Sequence, residues 1–271
     1  MKKWYVVFSC ICVLLLYVFF IDGIVPPFVF LDVGQGDASL FTFEDGTQAL
    51  VDCGIDATVL EGLGRHMPFY DKYIDYVIVT HLDLDHYGGC IDVLHRFDVG
   101  TFVYNGTQSD SAMWQVLLHT LEEKDVEMYI IEEYQTWSFL EESIIFLYPN
   151  YSLRQDASLF EGKNNESIVM KFFVSGTNIL ITGDAEEELE EYLAFQYGSE
   201  LASDILHIGH HGSQTSSIVS FLKAVSPHIG VISVGKKNSY GHPSSRVLWR
   251  LSQLGIAVFE TSEIGDILSL Y

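Results

Sequence analysis

Basic residues are scarce in this chain, and so are cysteine and proline. Its 271 residues include 14 Lys and Arg against 37 Asp and Glu, which gives a formal net charge of −23. A surface this acidic repels a polyanion over most of its area, so broad electrostatic capture of nucleic acid is not expected. A phosphate-bearing substrate would have to be attracted by bound cations and a few local bases.

Sequence repeats and linkers are also missing. No segment recurs at a fixed spacing, and no Pro-rich or Ser-rich stretch divides the chain, which holds 6 Pro in total. These absences exclude a solenoid and disfavour two domains joined by a linker. A chain of this length can bury one large core. We predict a single domain over residues 24–271, behind a separate N-terminal segment of residues 1–23.

The 4 cysteines give little information about the redox compartment. Cys10 and Cys12 lie in the apolar N-terminal segment, which leaves Cys53 and Cys90 in the domain. An extracellular domain would allow these two to pair, but a sequence does not show whether their backbones approach within disulfide range. The sequence leaves the pairing open.

The longest hydrophobic run is at the N-terminus, where Lys2 and Lys3 precede residues 4–21, which are 18 residues without a charge. This length suits a transmembrane helix or a long signal-peptide core. No small-x-small cleavage site follows, so an uncleaved anchor is favoured, and a cleaved signal is the alternative. The positive-inside rule puts the domain outside the cytoplasm, anchored or, after cleavage, secreted. Beyond residue 21 remain 12 basic and 37 acidic residues, a net charge of −25.

Apolar runs and turn signals predict an α+β fold with four layers, αββα. Strand clusters in each half of the chain, with helices between them, indicate two packed sheets covered by helices on both outer faces. The predicted strands are residues 28–33, 38–43, 48–51, 73–79, 99–104, 143–147, 167–174, 178–182, 204–208, 229–234, 256–259 and 267–270. The predicted helices are residues 56–67, 88–97, 109–124, 184–197, 217–225 and one after Pro243. In the third helix, an apolar stripe of Met113, Val116, Leu117 and Leu121 is expected to face the core.

Metal-capable side chains crowd into one short stretch, residues 80–86 (Thr-His-Leu-Asp-Leu-Asp-His), directly after the mostly apolar residues 74–79. A strand that ends in a short loop aims several side chains at one point, and imidazole with carboxylate suits zinc, manganese or iron. An acidic surface loop with two incidental histidines is the alternative, and matching ligands in two later segments disfavour it. The predicted metal ligands here are His81, Asp83, Asp85 and His86.

Asp184 and the pair His210 and His211 supply the matching ligands, each after an apolar strand. A dinuclear centre needs about five to seven ligands and usually one shared carboxylate, the role predicted for Asp184. The following Ala-Glu-Glu-Glu also suits Asp184 as a helix N-cap, and both roles are compatible. Neighbouring strand residues point to opposite faces, so the pair is expected to give one ligand and one supporting residue. Both histidines stay candidates for the metal, with a slight preference for His211.

Lys236, Lys237, Asn238 and His242 form a cluster of polar and basic side chains after a late predicted strand. We predict that the first three bind a substrate phosphate and that His242 protonates the leaving group. The competing interpretation is a solvated turn closed by Pro243 at a helix start. Three other aspartates are expected to order turns and not to bind metal: Asp32, Asp37 and Asp52.

Five motifs follow one another in order: residues 31–38 (LDVGQGDA), 80–89, 164–169 with 182–185, 210–213 (HHGS), and 233–235 with 240–243. Together they resemble the metallo-β-lactamase-fold domain of ComEC-type competence proteins. The similarity spans roughly residues 28–271, and five ordered motifs are far more specific than any single one. The resemblance implies a dinuclear metal hydrolase, with phosphodiester or related bonds as the expected substrate class.

The chain departs from the superfamily pattern in its ligands and in its architecture. Asp83 stands where the broader superfamily has a second His, as in the ComEC-like branch, and no obvious histidine takes the middle ligand position. His95 and His119 fall in predicted helices and are interpreted as packing or surface residues. Fewer imidazoles and more carboxylates favour manganese over zinc, or one weak site. A ComEC channel also needs many membrane spans, whereas one is predicted here.

The expected chemistry is hydrolysis by water activated between two divalent ions, zinc or manganese. Such ions lower the pKa of bound water, and Asp85 is predicted to ligate one ion and to orient that water. The predicted activity is that of a phosphodiesterase or nuclease, with DNA among the candidate substrates. Two alternatives stay open: hydrolysis of phosphorylated cell-wall or lipid head groups, and a binding module that kept the fold and lost catalysis. Membrane contact is expected through the N-terminal helix, and the pattern specifies no protein partner.

Overall fold

The computed structural model describes residues 25–150 and 162–269. In this part of the chain, helices connect the neighbouring parallel strands, and short turns connect several of the antiparallel ones. The strands are β1 (Phe28–Phe30), β2 (Ser39–Thr42), β3 (Gln48–Val51), β4 (Tyr73–Ile78), β5 (Asp98–Tyr104), β6 (Glu127–Ile130), β7 (Gln135–Phe139), β8 (Glu142–Tyr148), β9 (Val169–Val174), β10 (Thr177–Ile181), β11 (Ile205–His207), β12 (Ile229–Ile232), β13 (Ala257–Glu260) and β14 (Ile267–Leu268). The α-helices are α1 (Thr58–His66), α2 (Leu84–Tyr87), α3 (Cys90–Arg96), α4 (Ala112–Glu123), α5 (Glu187–Tyr197), α6 (Val219–Val225), α7 (Ser245–Gln253) and α8 (Thr261–Ile264).

Two seven-stranded sheets carry the fold, with the orders β14-β1-β2-β3-β4-β5-β6 and β13-β12-β11-β10-β9-β8-β7. Each sheet is antiparallel on one side and parallel on the other, over β3 to β6 and over β10 to β13. The second half of the chain therefore repeats the strand pattern of the first without repeating its sequence. β14 crosses back to pair with β1 in the first sheet, and Asp266 beside it accepts hydrogen bonds from Arg65 of α1.

Three apolar layers form the core, because the central strands are apolar on both faces. Leu40 and Leu50 pack towards α1, α3 and α4, whereas their strand neighbours Phe41 and Val51 pack between the two sheets. A third layer lies between the second sheet and α5, α6 and α7. The predicted α+β fold of four αββα layers is confirmed.

Two strands carry no clear signal in the sequence, and both are sheet edges. All four residues of β6 are exposed, and β7 is exposed or half-buried except at its last residue. An edge strand needs no second neighbour and can leave its faces partly in water, so hydrophobic periodicity does not reveal it. The helices and strands that were predicted are present, with ends that differ by a few residues.

The predicted apolar stripe of α4 is wrong in part. Leu117 and Leu121 are buried as expected, but Met113 and Val116 are exposed and Trp114 is buried instead. The Trp114 ring packs edge-on against Tyr87, with ring centres 5.5 Å apart. Burying the largest apolar side chain removes the most apolar surface from water, and this sets the rotation of the helix.

The parallel strands bring the predicted ligands to one edge of the sandwich. Residues 80–86 follow β4, Asp184 follows β10, and the histidine pair follows β11. The carboxyl ends of parallel strands meet at the same edge of their sheet, and the two sheets are packed face to face. Segments that are 100 residues or more apart in sequence can therefore meet in one pocket.

The predicted membrane anchor, residues 1–23, lies outside the described residues. Residue 25 is the first one described, three positions before β1. Over residues 25–150 and 162–269, every helix is too short or too polar to cross a bilayer.

Cys53 and Cys90 form a disulfide, with Cα atoms 5.2 Å apart and a sequence separation of 37. Cys53 directly follows Asp52 at the end of β3, and Cys90 is the first residue of α3. Nearby, the Cys53 amide donates a 2.7 Å hydrogen bond to the His86 carbonyl. The disulfide therefore ties the end of β3 to the segment that carries the predicted ligands.

Removing this disulfide should destabilise the domain. Closing a loop of this length lowers the entropy of the unfolded chain, which contributes about 3–4 kcal/mol to stability. We expect the Cys53→Ser/Cys90→Ser variant to lose roughly that much free energy of unfolding in a urea titration. The Cys10→Ser/Cys12→Ser variant keeps the disulfide and is the control. Equal stability of the two variants would contradict the prediction.

Candidate metal centre

The stretch of residues 80–86 turns after β4 and directs its polar side chains into one pocket. His81 is buried beyond the strand end, and His86 is buried on α2, with the two ring centres 4.2 Å apart. Asp83 precedes α2 with extended backbone, and its side chain is 39% exposed. Asp85 lines the same pocket. The structure thus brings together all four ligands predicted from this stretch.

Asp184 lies at the centre of the predicted ligands. Its Oδ1 is 3.3 Å from Nε2 of His86, and its Oδ2 is 3.8 Å from Nε2 of both His81 and His211. The predicted N-cap role is wrong, because α5 begins at Glu187 and Glu186 occupies the N-cap position. The carboxylate of Asp184 is therefore turned towards the imidazoles and not towards a helix end.

His210 and His211 both reach this pocket, because β11 has ended before them. Both residues have left-handed backbone, with φ of 51° and 52°. Nε2 of His210 lies 3.9 Å from Asp184 Oδ2, close to the corresponding 3.8 Å of His211. His211 is buried and its Nε2 is 3.3 Å from Asp85 Oδ2, whereas the His210 side chain is 23% exposed. The alternation of strand faces, which predicts opposite directions for the pair, does not apply beyond the strand end.

The three buried imidazoles among the predicted ligands are each oriented through Nδ1, which leaves Nε2 facing the pocket. The three contacts are His86 to Asp52 Oδ2 at 2.9 Å, His211 to the Ser233 carbonyl at 3.0 Å, and His81 to the Thr80 hydroxyl at 3.2 Å. A proton on Nδ1 that is donated to such a partner leaves a lone pair on Nε2, as metal ligation requires.

Several atoms of the described residues at this pocket are buried without a hydrogen bond, among them Nε2 of His81, His86 and His211, and Oδ1 of both Asp184 and Asp37. Leaving such atoms unpaired costs free energy, and a divalent cation bound between them would satisfy them. Among the described residues, four triads have ligand atoms within 4.8 Å of one another: His81–His86–Asp184, Asp85–His86–His211, Asp37–Asp184–His211 and Asp37–Asp52–His86. The residues therefore fit a metal, and nitrogen with carboxylate oxygen suits zinc, manganese or iron.

Charge pairing sets the pKa values in the pocket. Burial raises the pKa of Asp184, but the positive charges of His86 and His211 outweigh it and hold the pKa well below its usual value. Burial lowers the pKa of both histidines, but the facing carboxylates raise it well above the ordinary value. Burial also opposes the shift of Asp85, yet its contact with His211 and the charges of His86 and His211 lower its pKa to about 2. The carboxylates are ionised at neutral pH, and a metal ion must displace protons from the imidazoles.

Asp37 and Asp52, expected to order turns, lie in this pocket and contact its histidines. Oδ1 of Asp37 is 3.2 Å from Nδ1 of His211, and its side chain is buried. Asp52 orients His86 and also accepts two hydrogen bonds of 2.8 Å, from the amide and the hydroxyl of Thr80. By contrast, Asp32 accepts the amide of Gly34, as a turn-ordering residue does.

Gly36, directly before Asp37, is a sequence signal that could have placed Asp37 against the loop that carries the ligands. Gly36 has φ of 117°, and a Cβ at this position would collide with the carbonyl oxygen of Asp85. The Asp37 amide donates to that same carbonyl at 3.2 Å. Only glycine permits so close an approach, so the turn packs directly on the loop that carries the ligands.

His207, at the end of β11, is a buried histidine that the sequence pattern does not single out. Its ring stacks on Phe30 with ring centres 5.4 Å apart, and its Nε2 is 2.8 Å from the Ser233 hydroxyl. Its Nδ1 is 3.6 Å from Asp37 Oδ2. Burial lowers the pKa of His207 despite the charge of Asp37. His207 therefore contacts Asp37 from the apolar layer between the two sheets.

The amide of Asn238 is used to hold the loop over residues 235–242. It donates to the carbonyls of Gly235 and His242 and accepts from the His242 amide, at 2.8–3.0 Å. Lys236 and Lys237 are exposed at the turn. These hydrogen bonds give Asn238 a structural role, whereas the sequence predicts that it binds substrate.

The metal pocket has a volume of about 130 Å³. Its described lining residues are Gln35, Asp83, Asp85, Asp184, His210, His211, Tyr240 and His242, and they include neither lysine of the loop. The His242 ring lies 5.7 Å from that of His210 and stacks with Tyr240 at 5.9 Å. Burial lowers the pKa of His242, so its ring is neutral at neutral pH. The structure thus places His242 at the pocket, with the two lysines outside it.

Two buried charged side chains fix the loop that follows the histidine pair. Glu190 of α5 accepts the amides of Ser217 and Ile218 at 2.7 Å each. Arg250 of α7 donates to the carbonyls of Ser216 and Ser217 at 2.9 and 3.0 Å. A carboxyl group and a guanidinium thus hold opposite ends of the same peptide groups, and the loop is attached to two helices. Sequence alone does not distinguish Glu190 from the other acids of α5.

Comparison with known protein families gives one match that covers most of the chain. A family model described as "Metallo-beta-lactamase superfamily" matches residues 31–236. The chain is 31% identical over 242 residues to "Competence protein ComA" of Neisseria gonorrhoeae, covering 86% of this chain and 30% of that protein. It is 32% identical over 197 residues to "ComE operon protein 3" of Bacillus subtilis, covering 72% and 24%. The chain spans less than a third of the length of these relatives.

Solved structures agree with this fold. The metallo-beta-lactamase fold protein YhfI from Bacillus subtilis matches with a TM-score of 0.55 at 13% identity, over 87% of this chain and 96% of that chain. Zn²⁺-bound PqqB from Methylobacterium extorquens matches with a TM-score of 0.52 at 13% identity, over 83% and 85%. At such low identity the likeness concerns the fold alone.

Titration of Glu190 should make stability depend on pH. Burial raises its pKa to about 8, although the two amides and Arg250 act to lower it, whereas the pKa in an unfolded chain is about 4.3. The folded state holds the proton more tightly, so this stabilisation is complete below about pH 4 and is lost as the pH rises to about 8. In Glu190→Gln this titration is absent.

We therefore expect the free energy of unfolding of Glu190→Gln to fall less than that of the parent between about pH 5 and pH 8, in urea titrations at each pH. The exposed neighbour Glu191, changed to Gln, is the control and should follow the parent. Parallel curves for the parent and Glu190→Gln would contradict the prediction.

Proposed function

The chain belongs to the metallo-beta-lactamase superfamily, and from this premise we propose that it is a hydrolase that cleaves phosphodiester bonds with two bound divalent ions. The main support is the set of buried atoms without a hydrogen bond around Asp184. The two carboxylate oxygens of Asp184 face three imidazoles. Such a carboxylate is suited to being shared between two ions.

The distances support a division of the ligands into two sets that share Asp184. Nε2 of His81 is 3.8 Å from the nearest oxygen of Asp83 and of Asp184. Nε2 of His211 is 3.3 Å from Asp85, close to His86. His210 stands beside Asp184 as a further nitrogen donor. One ion would be held by His81, Asp83 and Asp184, and the other by Asp85, His86, His211 and Asp184.

The chain's own residues would position water and move its proton. Bound ions would supply a Lewis acid and lower the pKa of water in the pocket. Asp85 is ionised and lines the pocket, so it would accept a hydrogen bond from the attacking water. His242 is neutral at neutral pH, so it would take up a proton and return it to the leaving oxygen. Lys236 and Lys237 would attract a phosphate from outside the pocket.

DNA is one candidate substrate. The likeness to "Competence protein ComA" and the resemblance to ComEC-type competence proteins support it. The net charge of −23 acts against binding a long polyanion, and this supports smaller phosphodiesters, such as lipid or cell-wall head groups, as the second candidate. Turnover of single-stranded DNA against small diesters decides between them.

The placement of the domain is proposed to be outside the cytoplasm, held by residues 1–23 as a membrane anchor. The uncharged run of residues 4–21 supports the anchor. The disulfide between Cys53 and Cys90 supports an oxidising compartment, since such bonds are rare in the cytosol. Proteinase accessibility of the domain in intact cells would test this placement.

Replacing Asp184 should abolish hydrolysis, because both ions would lose a shared ligand. With manganese or zinc added, we expect the full chain to cleave bis(p-nitrophenyl) phosphate, and Asp184→Asn to do so roughly 100-fold more slowly or worse. Asp98→Asn, at an exposed position at the start of β5, is the matched control. Equal activity of the two variants would refute the proposal. An unaltered chain purified without chelator that holds no stoichiometric metal would instead support a binding module without catalysis.

Asp52 should affect metal affinity without touching the metal, because its contact with Nδ1 orients His86. Loss of such a partner typically weakens metal binding about 10–100-fold. We expect Asp52→Asn to show this loss in a competition assay with a chelating dye, and Asp98→Asn to bind as the parent does. Unchanged affinity in Asp52→Asn would rule out the proposed orienting role.

A further inference from the structure

A second cavity, here called the outer cavity, lies beside the metal pocket and has a volume of about 510 Å³. The metal pocket, at about 130 Å³, has room for little more than ions and a phosphate group, whereas the outer cavity is in the range of small-molecule sites. Leu82, on the wall of the outer cavity, lies between the ligands His81 and Asp83 in sequence. The outer cavity therefore adjoins the ligand segment, where a group attached to the reacting phosphate would lie.

The walls of the outer cavity are fixed relative to the metal ligands. They are the loop that follows β5 and the short 3-10 helix Lys163–Glu166. The side-chain amide of Asn105 donates to the Glu166 carbonyl at 2.8 Å and so joins the two walls. Asn164 in turn lies 3.4 Å from Nδ1 of His210.

Seven of the eight described residues that line the outer cavity are of polar type, the eighth is Leu82, and two of the three charged ones are acidic. The polar side chains include Thr107, Gln108, Ser109, Asp110, Lys163 and Glu166. Hydroxyls both donate and accept hydrogen bonds, carboxylates only accept, and the amide and ammonium groups donate. A ligand that satisfies all of them offers several hydroxyl groups, because each hydroxyl can donate to a carboxylate and accept from an amide or ammonium.

A nucleic-acid chain suits this lining poorly. Its next phosphates would lie against Asp110 and Glu166, where like charges repel. The acidic side chains of the described lining therefore disfavour the phosphates of an oligonucleotide.

We propose that the outer cavity binds an uncharged polyol, such as a glyceryl or glycosyl group, and that the substrates are phosphodiesters of polyols. This rests on the proposed phosphodiesterase function and specifies its substrate class. In the reaction, water adds its oxygen to phosphorus, and the bond between phosphorus and the leaving oxygen breaks. One water proton goes to the leaving oxygen, so the products are a phosphomonoester and an alcohol.

The test compares three diesters that release p-nitrophenol, using the full 271-residue chain loaded with manganese or zinc. They are glyceryl p-nitrophenyl phosphate, thymidine 5′-(p-nitrophenyl phosphate) and bis(p-nitrophenyl) phosphate, which share the charge and the leaving group. We expect kcat/KM for the glyceryl diester to exceed that for the thymidine diester by about tenfold or more. A single-stranded oligonucleotide should be cleaved more slowly still. A preference for the thymidine diester or for the oligonucleotide would overturn the proposal.

Two variants connect that preference to the outer cavity. Ser109→Trp fills the cavity, and Asp110→Asn removes one carboxylate with little change of shape. We expect each to lower kcat/KM for the glyceryl diester by about tenfold and to lower that for bis(p-nitrophenyl) phosphate clearly less, because the nitrophenyl group forms no hydroxyl hydrogen bonds with the lining. Ser220→Trp, on the exposed surface of α6, is the control for adding a large side chain. Equal losses on both diesters would overturn the assignment.

A binding measurement separates this proposal from the proposed hydrolysis. An analogue of glycerophosphoglycerol with CH2 in place of both bridging oxygens is titrated into the metal-loaded chain by calorimetry. Binding that weakens in Asp110→Asn supports the polyol site even if no diester is cleaved, in which case only the hydrolysis fails. No binding, or equal binding in both proteins, overturns the polyol site. Cleavage of soluble glycerophosphoglycerol points to a free diester, and cleavage of phosphatidylglycerol in vesicles to a lipid head group; either supports it.

Discussion

The attraction between the buried carboxylate of Asp184 and the imidazoles around it is the constraint on which this functional edge depends. A buried, unpaired carboxylate costs several kcal/mol, and here the positive charges of His86 and His211 outweigh that cost. These partners come from separate segments, so each loop must be held in place. Asp52 and the disulfide hold one side, and Glu190 with Arg250 holds the other. Loosening any of these loops would leave charge buried without a partner, so the fold and the site are stabilised together.

The layers of the fold and the edge that carries the site could be predicted because the relevant signals are local. Central strands such as β2 and β3 are apolar on both faces, which distinguishes them from helices and from turns. The ligand types are dense within residues 80–86, and they recur after two more predicted strands. His119 could be assigned to the surface, and its side chain is 68% exposed. Local patterns failed where the burial of a side chain depends on a residue distant in sequence. Trp114 is the example, because it packs against Tyr87 of another helix.

The remaining part of the site depends on contacts between distant residues, which no local pattern contains. Asp37 and Asp32 lie in the same turn, yet one contacts His211 and the other caps a glycine amide. In the sequence, Glu190 resembles its acidic neighbours in α5. In the structure it differs from them, because the amides of Ser217 and Ile218, 27 and 28 residues away, donate hydrogen bonds to it. The direction of His210 also depended on where β11 stops. In each case the sequence supplies the chemical group, and only the packed chain determines what it meets.

The return of β14 to the first sheet bears on how the chain folds as it is made. β1 keeps one edge unpaired until residues 267–268 have left the ribosome, and Asp266 arrives only then to meet Arg65. Such an open edge can pair with the strands of other chains. The first sheet therefore cannot be completed before residues 267–268 have been synthesised, and until then its open edge can pair with other chains.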